Sequence, residues 1–335
     1  MKSVIRIEIP IPFPIGSVNL YFIEDSVPTL IDAGFYSEEA LGKVGLTLKK
    51  AGYQLTDVKR ILLTHGHLDH VGLAGKISGI SGAEVFVHPL DRDKCIWNPE
   101  AGHEKKIEGF FRFAREAGLP DALTEAISFQ MTERFKKLFC GGFNVKYIRG
   151  GETFAFDNFF LEVICCPGHT AGSVCFFDPK EGRLFSGDHL LEKITPNPVI
   201  EIGNQDVMGE YKSLSSYMSS LEVIRDLDVA LVLPGHGSSF SNHRRRINEI
   251  IGHHRMRRQE ILDAFSDNKN DRSDRGGMTL FMVSQKLFPE LRGWDIFLGL
   301  SETYGHLEVL EDEGLTTSRM AGDQRLYCLS LTGQR

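Results

Sequence analysis

One short segment constrains this chain more than any other feature. His65, His67, Asp69 and His70 fall within six residues, directly after an apolar, strand-like run at 60–63. Imidazole and carboxylate groups are preferred ligands of zinc, manganese and iron in proteins. Packing does not explain four of them together, because a buried polar group without a partner destabilises a fold. The segment therefore predicts a metal-binding site.

Three further ligand-type residues occupy comparable positions later in the chain. His169, Asp188 and His236 each follow a strand-like run and lie next to glycines, which let the backbone turn sharply. Loops at strand ends are where α/β proteins place their sites. The recurrence of this pattern predicts that the three side chains join the site of residues 65–70.

The order of strand and helix patterns predicts an α/β fold. The chain opens with strands and turns, a helical pattern covers 37–52, and strands alternate with helices from there to residue 87. Residues 91–140 interrupt this alternation with phenylalanine-rich helices, which we interpret as a helical insertion. Strand patterns then return. They cover residues 154–156, 159–165, 173–177, 183–186 and 229–233.

The region after residue 242 is mostly helical and predicts a second, smaller domain. Helical patterns cover 247–265, 279–287 and 294–312, and a short strand pair is expected within 314–331, with its turn at 321–323. We therefore divide the chain into a first domain at 1–242, which includes the insertion at about 91–140, and a second at 243–335.

The motif set resembles that of the metallo-β-lactamase superfamily, with a pattern like that of glyoxalase II. The hallmark H-x-H-x-D-H, followed by a later His, Asp and His, corresponds here to His65, His67, Asp69, His70, His169, Asp188 and His236. The resemblance covers roughly residues 15–240 and implies an αββα sandwich of two mixed β-sheets flanked by helices. The C-terminal part resembles the winged-helix domain appended to some members.

The resemblance also implies a ligand set for two metal ions. His65, His67 and His169 would hold the first, and Asp188 would bridge the pair. Asp69, His70 and His236 would hold the second. Zinc is the first expectation for both ions, with iron or manganese as alternatives. Two metals about 3.5–4 Å apart can share a water and lower its pKa from 15.7 toward about 7.

This arrangement predicts a metal-dependent hydrolase that attacks an ester-like bond, a thioester or lactone first of all, with hydroxide held by the two metals. Asp69 and Asp188 are the catalytic candidates. Two alternatives stay open at this point. One is a metal-dependent ribonuclease or phosphodiesterase, and the other is a mononuclear iron oxygenase acting on a sulfur substrate.

Substrate-binding candidates lie beside the motif and in the second domain. His189 directly follows Asp188 and can donate a hydrogen bond to substrate, or it can satisfy a neighbouring backbone group. Arg255 and Arg257 belong to a helix with six arginines between 244 and 258, which either grips phosphate or forms ion pairs. The phenylalanines of the insertion form either an apolar lid or the inner faces of packed helices.

Composition limits the partners. The chain has 38 basic and 45 acidic residues and a net charge of −7, which provides no general attraction to nucleic acid or anionic membranes. DNA binding is not expected, because the helix at 294–313 carries six acids and no lysine or arginine. RNA and a homo-oligomer are left open, and a small-molecule substrate is expected. The absence of a signal-peptide pattern and of a membrane-spanning run, with six cysteines and no C-x-x-C pair, predicts a cytoplasmic protein.

Overall fold

A computed structural model describes residues 4–12, 15–95, 103–138, 143–201, 211–267 and 277–330, with backbone only at 103–105 and 134–138. The chain forms two compact units. The first unit comprises Met1–Pro99, Phe135–Pro196 and Ser219–Ile247. The second comprises Glu100–Arg134, Asn197–Met218 and Asn248–Arg335.

The first unit contains a six-stranded mixed sheet with strands in sequence order. Its strands are β1 Val4–Pro10, β2 Ser17–Ile23, β3 Thr29–Ile31, β4 Arg60–Leu62, β5 Glu84–Val87 and β6 Val145–Tyr147. The first three strands pair antiparallel, whereas β3 to β6 run parallel. The helices between them are α1 Glu38–Lys50, α2 Leu68–Val71, α3 Ala74–Ser81 and α4 Arg92–Cys95.

Helix α1 shows how local sequence fixes these elements. The Ser37 hydroxyl caps the helix by accepting a hydrogen bond from the Ala40 backbone N–H at 3.0 Å. The first turn carries acidic residues and the last turn carries lysines, and both placements are favourable for the helix dipole. Val44 and Leu48 recur on one face and are buried with the apolar side chains of β1 to β5. The predicted helix at 37–52 is therefore confirmed.

A second, five-stranded sheet has the strand order β11-β10-β9-β8-β7. Its strands are β7 Thr153–Ala155, β8 Phe160–Cys165, β9 Val174–Asp178, β10 Arg183–Gly187 and β11 Leu231–Pro234. One buried cluster joins side chains of both sheets, including Tyr21, Leu62, Phe176 and Phe185. The two sheets therefore pack as a sandwich, with helices α1 to α3 against the outer face of the first sheet, which confirms the predicted fold class.

The second unit is built from helices and a small antiparallel sheet. The helices are α5 His103–Glu116, α6 Asp121–Leu138, α7 Ser213–Arg225, α8 His243–Asp267, α9 Leu280–Leu287 and α10 Trp294–Asp312; the unit boundaries fall within α6, α7 and α8. The strands are β12 Met278–Thr279, β13 Thr316–Ala321 and β14 Gln324–Leu329. The predicted C-terminal helices and strand pair are confirmed, while the winged-helix assignment stays a prediction.

The phenylalanine-rich segment groups with the second unit, which differs from its sequence-based interpretation as part of the domain at 1–242. The reason is a shared core, in which Phe110 and Phe113 are buried with Ile261 and Leu300. These two phenylalanines thus form inner faces of packed helices, whereas Phe129 is exposed. The side chain of Phe135 and all of Phe139 lie outside the described residues.

Within the part of the chain that the structure describes, no helix is both long and apolar enough to cross a bilayer.

Candidate metal centre

The histidine-rich segment begins where β4 ends, and its backbone conformation depends on a glycine. A Cβ at Gly66 would lie 2.7 Å from the Lys94 Cβ and 3.0 Å from the Asp91 carbonyl oxygen, so only glycine fits. His67 adopts extended backbone directly before helix α2. Asp69 and His70 lie on that first helical turn and are therefore directed differently from the preceding histidines.

The structure brings the seven predicted ligand residues together. His65, His67 and His169 offer three nitrogen atoms that lie within 4.8 Å of one another. Asp69, His70 and His236 form a second group by the same measure. These are the two groups that the resemblance implies.

Asp188 lies between the two groups. Its Oδ2 is 3.6 Å from His169 Nε2, and the same oxygen is 3.3 Å from His236 Nε2. Its Oδ1 is 3.3 Å from His70 Nε2. A Cβ at Gly235 would overlap the Asp188 carboxylate, so the last glycine before His236 leaves the room that this carboxylate needs.

Asp32 fixes His70 from behind. Its Oδ2 accepts from His70 Nδ1 at 2.7 Å, and its carboxylate also accepts from the Thr64 amide at 2.8 Å and the Thr64 hydroxyl at 2.9 Å. The residue is buried, with a backbone φ of +59°, which few non-glycine residues adopt. A carboxylate behind a ligating histidine sets its tautomer and ring orientation.

The outer nitrogens of His236 and His65 are also held. His236 Nδ1 donates to the Ser17 carbonyl oxygen at 2.5 Å, and His65 Nδ1 lies 3.0 Å from the Thr64 hydroxyl. The inward atoms differ: His65 Nε2 and His70 Nε2 are buried and have no hydrogen-bond partner among the described residues. A buried nitrogen without a hydrogen-bond partner destabilises the fold unless it binds something. The two inward Nε2 atoms therefore fit divalent metal ions.

Asp91 connects the histidine-rich segment to the loop that carries His169. Its buried carboxylate accepts from the Gly66 amide at 2.7 Å, the Thr170 hydroxyl at 2.6 Å and the Lys94 ammonium at 2.7 Å. Burial alone would raise the pKa of Asp91, but the Lys94 charge and these hydrogen bonds lower it below its usual value. The carboxylate therefore stays ionised and holds the two loops together.

The electrostatics of the centre separate its histidines into two kinds. Burial, reinforced by the neighbouring His169, lowers the pKa of His67 to about 3. Burial opposes charge on His236 as well, but Asp188 and Asp69 outweigh it and raise its pKa to about 10. Despite its own burial, Asp188 has a pKa well below the usual range because His236 and His70 face it. The carboxylates thus concentrate negative charge on the second group and the bridging position.

The predicted substrate residues are distributed differently. His189 is buried beside Asp188 in the first unit, and burial lowers its pKa to about 3. Arg255 is exposed in the second unit. Arg257 donates to Glu302 at 2.8 Å and lies 4.4 Å from the Phe288 ring centre, so its charge has a structural partner. Their substrate roles stay predictions.

Sequence reasoning did not find Asp32 and Asp91 as parts of the centre. A usable signal exists for Asp32, which is an acid between a buried strand and a glycine. Asp91 is the last residue of a short 3₁₀ turn, Pro89–Asp91, that follows β5, and it carries no comparable pattern. Only the fold brings it to residues 66 and 170.

Comparisons with known proteins agree with this geometry. Residues 14–236 match the family described as the Metallo-beta-lactamase superfamily. A protein of Bacillus subtilis named probable metallo-hydrolase is 30% identical over 330 residues, which cover 96% of both chains. A crystal structure of a metallo-beta-lactamase family protein from Thermus thermophilus is 28% identical, with a TM-score of 0.80 over 97% of this chain and 98% of that one. A beta-lactamase domain protein from Burkholderia ambifaria, at 22% identity, shares the fold with a TM-score of 0.76 over 97% and 92%.

Proposed function

The chain is a metallo-hydrolase that belongs to the metallo-beta-lactamase superfamily, and we propose that it binds two divalent metal ions, zinc first of all, and hydrolyses an ester-like bond. Thioesters and lactones are the proposed substrate class. The main support for this proposal is the position of Asp188, whose carboxylate oxygens lie within 3.6 Å of nitrogens in both ligand groups.

The proposed ligand assignment follows the two groups. His65, His67 and His169 hold one ion, and Asp188 is shared between the groups. Asp69, His70 and His236 hold the other. When bound, the pair supplies Lewis acidity and a water that ionises near neutral pH.

The chain's own residues orient and charge this centre. Asp32 holds His70 in the tautomer that leaves Nε2 as the ligand atom, and the Ser17 carbonyl does the same for His236. Asp69 is ionised, since the charge of His70 and the hydrogen bond from His236 outweigh the effect of burial and lower its pKa. Its carboxylate can therefore accept a proton from the attacking water, which is the catalytic role that we propose for it.

Charge around the centre supports an ester over a phosphodiester. A polynucleotide substrate needs lysine or arginine side chains to contact its phosphates. Lys94 lies near His67, where its charge adds to burial and His169 in lowering the pKa of that histidine, and its ammonium is ion-paired with buried Asp91 at 2.7 Å. Two arginines of helix α8, which belong to the second unit, are ion-paired as well, Arg257 with Glu302 and Arg258 with Glu313. Because Lys94 is already paired, we infer that a substrate without phosphate suits the centre better.

The test combines metal quantification with a substrate panel on the purified full chain. We expect two divalent ions per chain and hydrolysis of aryl thioesters and lactones that a chelator abolishes and zinc restores. Bis(p-nitrophenyl) phosphate serves as the phosphodiester comparison and should be cleaved at least about tenfold more slowly, about 1.4 kcal/mol in the barrier.

Two outcomes would overturn the proposal. A chain that holds two metals and cleaves the phosphodiester faster than any ester is a phosphodiesterase. A chain that binds one iron and consumes oxygen on turnover with a thiol substrate is an oxygenase.

A further inference from the structure

The first ligand group consists of His65, His67 and His169. Each of these histidines is next in the chain to a residue that donates a hydrogen bond to Asp91. Gly66 lies between the first two histidines, and its amide donates to Asp91 Oδ2 at 2.7 Å. Thr170 follows the third, and its hydroxyl donates to the same oxygen at 2.6 Å. One carboxylate oxygen therefore connects the two loops that supply the whole group.

Both loops also pack directly against Asp91, which is fully buried. A Cβ at Gly172 would lie 2.7 Å from Asp91 Cγ and 2.8 Å from its backbone nitrogen, and the Gly172 amide donates to Asp91 Oδ1 at 3.3 Å. A Cβ at Gly66 would lie 3.0 Å from the Asp91 carbonyl oxygen. Because the contacts are this close, the position of Asp91 determines where the two loops lie.

Lys94 balances the buried charge of Asp91. Its ammonium donates to Asp91 Oδ1 at 2.7 Å, and its side chain is 21% exposed. The Lys94 Cβ is also the atom nearest to a Cβ added at Gly66, so this lysine lies beside the first group. A cation there without its carboxylate would oppose a bound metal ion. Loss of the Asp91 charge would therefore weaken the first group through the loops and through Lys94.

The second ligand group consists of Asp69, His70 and His236. The loop of its last histidine is held by Asn19, a fully buried residue of β2. The Asn19 side-chain amide donates to the carbonyl oxygens of Pro234 and Gly237, each at 2.9 Å. The Asn19 backbone amide donates to the Gly235 carbonyl oxygen at 2.7 Å. The second group is thus fixed from a different strand and by a different side chain.

Asp32 differs from both of these supports because it contacts both groups. Its carboxylate accepts from His70 Nδ1 and from the Thr64 amide, and the Thr64 hydroxyl lies 3.0 Å from His65 Nδ1. A change at Asp32 reaches both groups. Changes at Asp91 and Asn19 reach one group each.

We propose that Asp91 is a positioning residue for the first ligand group and Asn19 for the second, so that the affinities of the two metal ions are set separately. This inference rests on the proposed dinuclear function. It does not depend on the substrate, since each residue acts through the ligands of one ion.

The experiment measures the zinc affinity of the chelator-treated full chain by competition with a chromophoric chelator. Asp91→Asn keeps the shape of the side chain, but its NH₂ group faces hydrogen-bond donors whichever way the amide is turned. Affinity for one of the two ions should fall about 10–100-fold, and affinity for the other should stay within about threefold. The matched control is Asp93→Asn on α4, whose side chain is 66% exposed and pairs with Arg92. It should retain both affinities.

Half-site variants identify the ion that is lost. His236→Ala removes a ligand of the second group, and His169→Ala removes one of the first. Asp91→Asn should lower zinc affinity about 10–100-fold in the His236→Ala chain and leave it within about threefold in the His169→Ala chain. Asn19→Ala should give the opposite pattern. A general loss of stability would lower affinity in both chains and cannot produce this crossed result.

Thermal melts identify any variant that does not fold. Thr170→Val then tests the same contact, because it removes one donor to Asp91 and should lower the affinity of the first ion about 3–10-fold. The inference fails if Asp91→Asn retains both wild-type affinities, or if its losses are equal in the two half-site chains. A wild-type chain that binds no zinc would reject the proposed metal centre and this inference with it.

Discussion

Two histidine clusters, one in each unit, make an informative comparison. The first is the metal centre around Asp188. The second lies in the C-terminal helices and consists of His253, His254 and His306 with Glu302 and Arg257. Both clusters collect imidazoles and carboxylate, yet their arrangements differ.

In the second cluster several polar groups contact one another, although His254 Nε2 is buried without a hydrogen-bond partner among the described residues. His254 Nδ1 lies 3.3 Å from His306 Nε2, and Glu302 accepts from Arg257 at 2.8 Å. Within the described ranges, no three ligand atoms of this cluster converge as those of the metal centre do. Burial lowers the pKa of His254 to about 4 and that of His306 to about 3, so both are neutral at physiological pH.

The comparison shows that the number of ligand-type residues does not by itself produce a metal site. In the metal centre, Asp32 and Ser17 hold the outer nitrogens so that the inner ones face a common point. In the second cluster, an arginine neutralises the carboxylate and the histidines contact each other. Ligand atoms that converge on a common point distinguish the metal centre.

The largest expected effect comes from neutralising the shared carboxylate of the metal centre. Asp188→Asn should lower the rate of ester hydrolysis by about 10³-fold or more, because the shared ligand contributes several kcal/mol to transition-state stabilisation. Steady-state kinetics with metal quantification measures this loss. The matched control is Glu302→Gln, which should keep hydrolysis within about twofold. Turnover at the wild-type rate by Asp188→Asn would contradict the shared position.

A smaller effect is expected from loosening the support behind one ligand. Asp32→Asn removes the charge that faces His70 Nδ1 but keeps the shape, and asparagine tolerates the positive φ of this position. Metal affinity should fall about 10–100-fold, as measured by competition with a chromophoric chelator. Asp25→Asn neutralises another buried carboxylate, which accepts a hydrogen bond from the Asp157 backbone amide. This control should leave the metal affinity unchanged. Equal affinities in all three proteins would contradict the anchoring role.

The seven side chains could be predicted because they follow strand-like apolar runs: His65 and His67 flank Gly66, Asp69 and His70 come within three residues of His67, and His169, Asp188 and His236 each follow a glycine. Asp32 and Asp91 were missed for a physical reason. The partners of Asp91 are at residues 66 and 170, and only tertiary folding brings those loops to one carboxylate. A buried acid has no local pattern that reveals its distant partners.

The assignment of helices and strands to the two units was harder to predict than the helices and strands themselves. Helix α10 was predicted with its observed bounds, Trp294–Asp312, because glycine and proline residues flank it in the sequence. Helix α7 was not predicted, since serines interrupt its apolar face. The assignment of residues 100–134 to the second unit depends on which core receives Phe110 and Phe113, and periodicity shows only that a face is apolar.

The smallest expected effect concerns the pH dependence of the second cluster. The pKa of His254 is about 4 in the folded chain, below its ordinary value of 6.5, so the unfolded chain binds a proton first as pH falls. Its contribution to stability is complete above pH 6.5 and is lost as pH falls toward 4. Residue 254 is buried, and His254→Gln should reduce the stability lost between pH 7.5 and 4.5 by about 1–2 kcal/mol.

Urea unfolding of the chelator-treated protein at the two pH values measures this difference, and the metal-centre histidines contribute equally to both proteins. His253→Gln, whose side chain is 34% exposed, is the matched control and should retain the wild-type pH dependence. If His254→Gln loses as much stability as the wild type, the buried neutral histidine does not control acid stability. The second cluster would then resemble the metal centre, where facing carboxylates rather than burial decide the charge of His236.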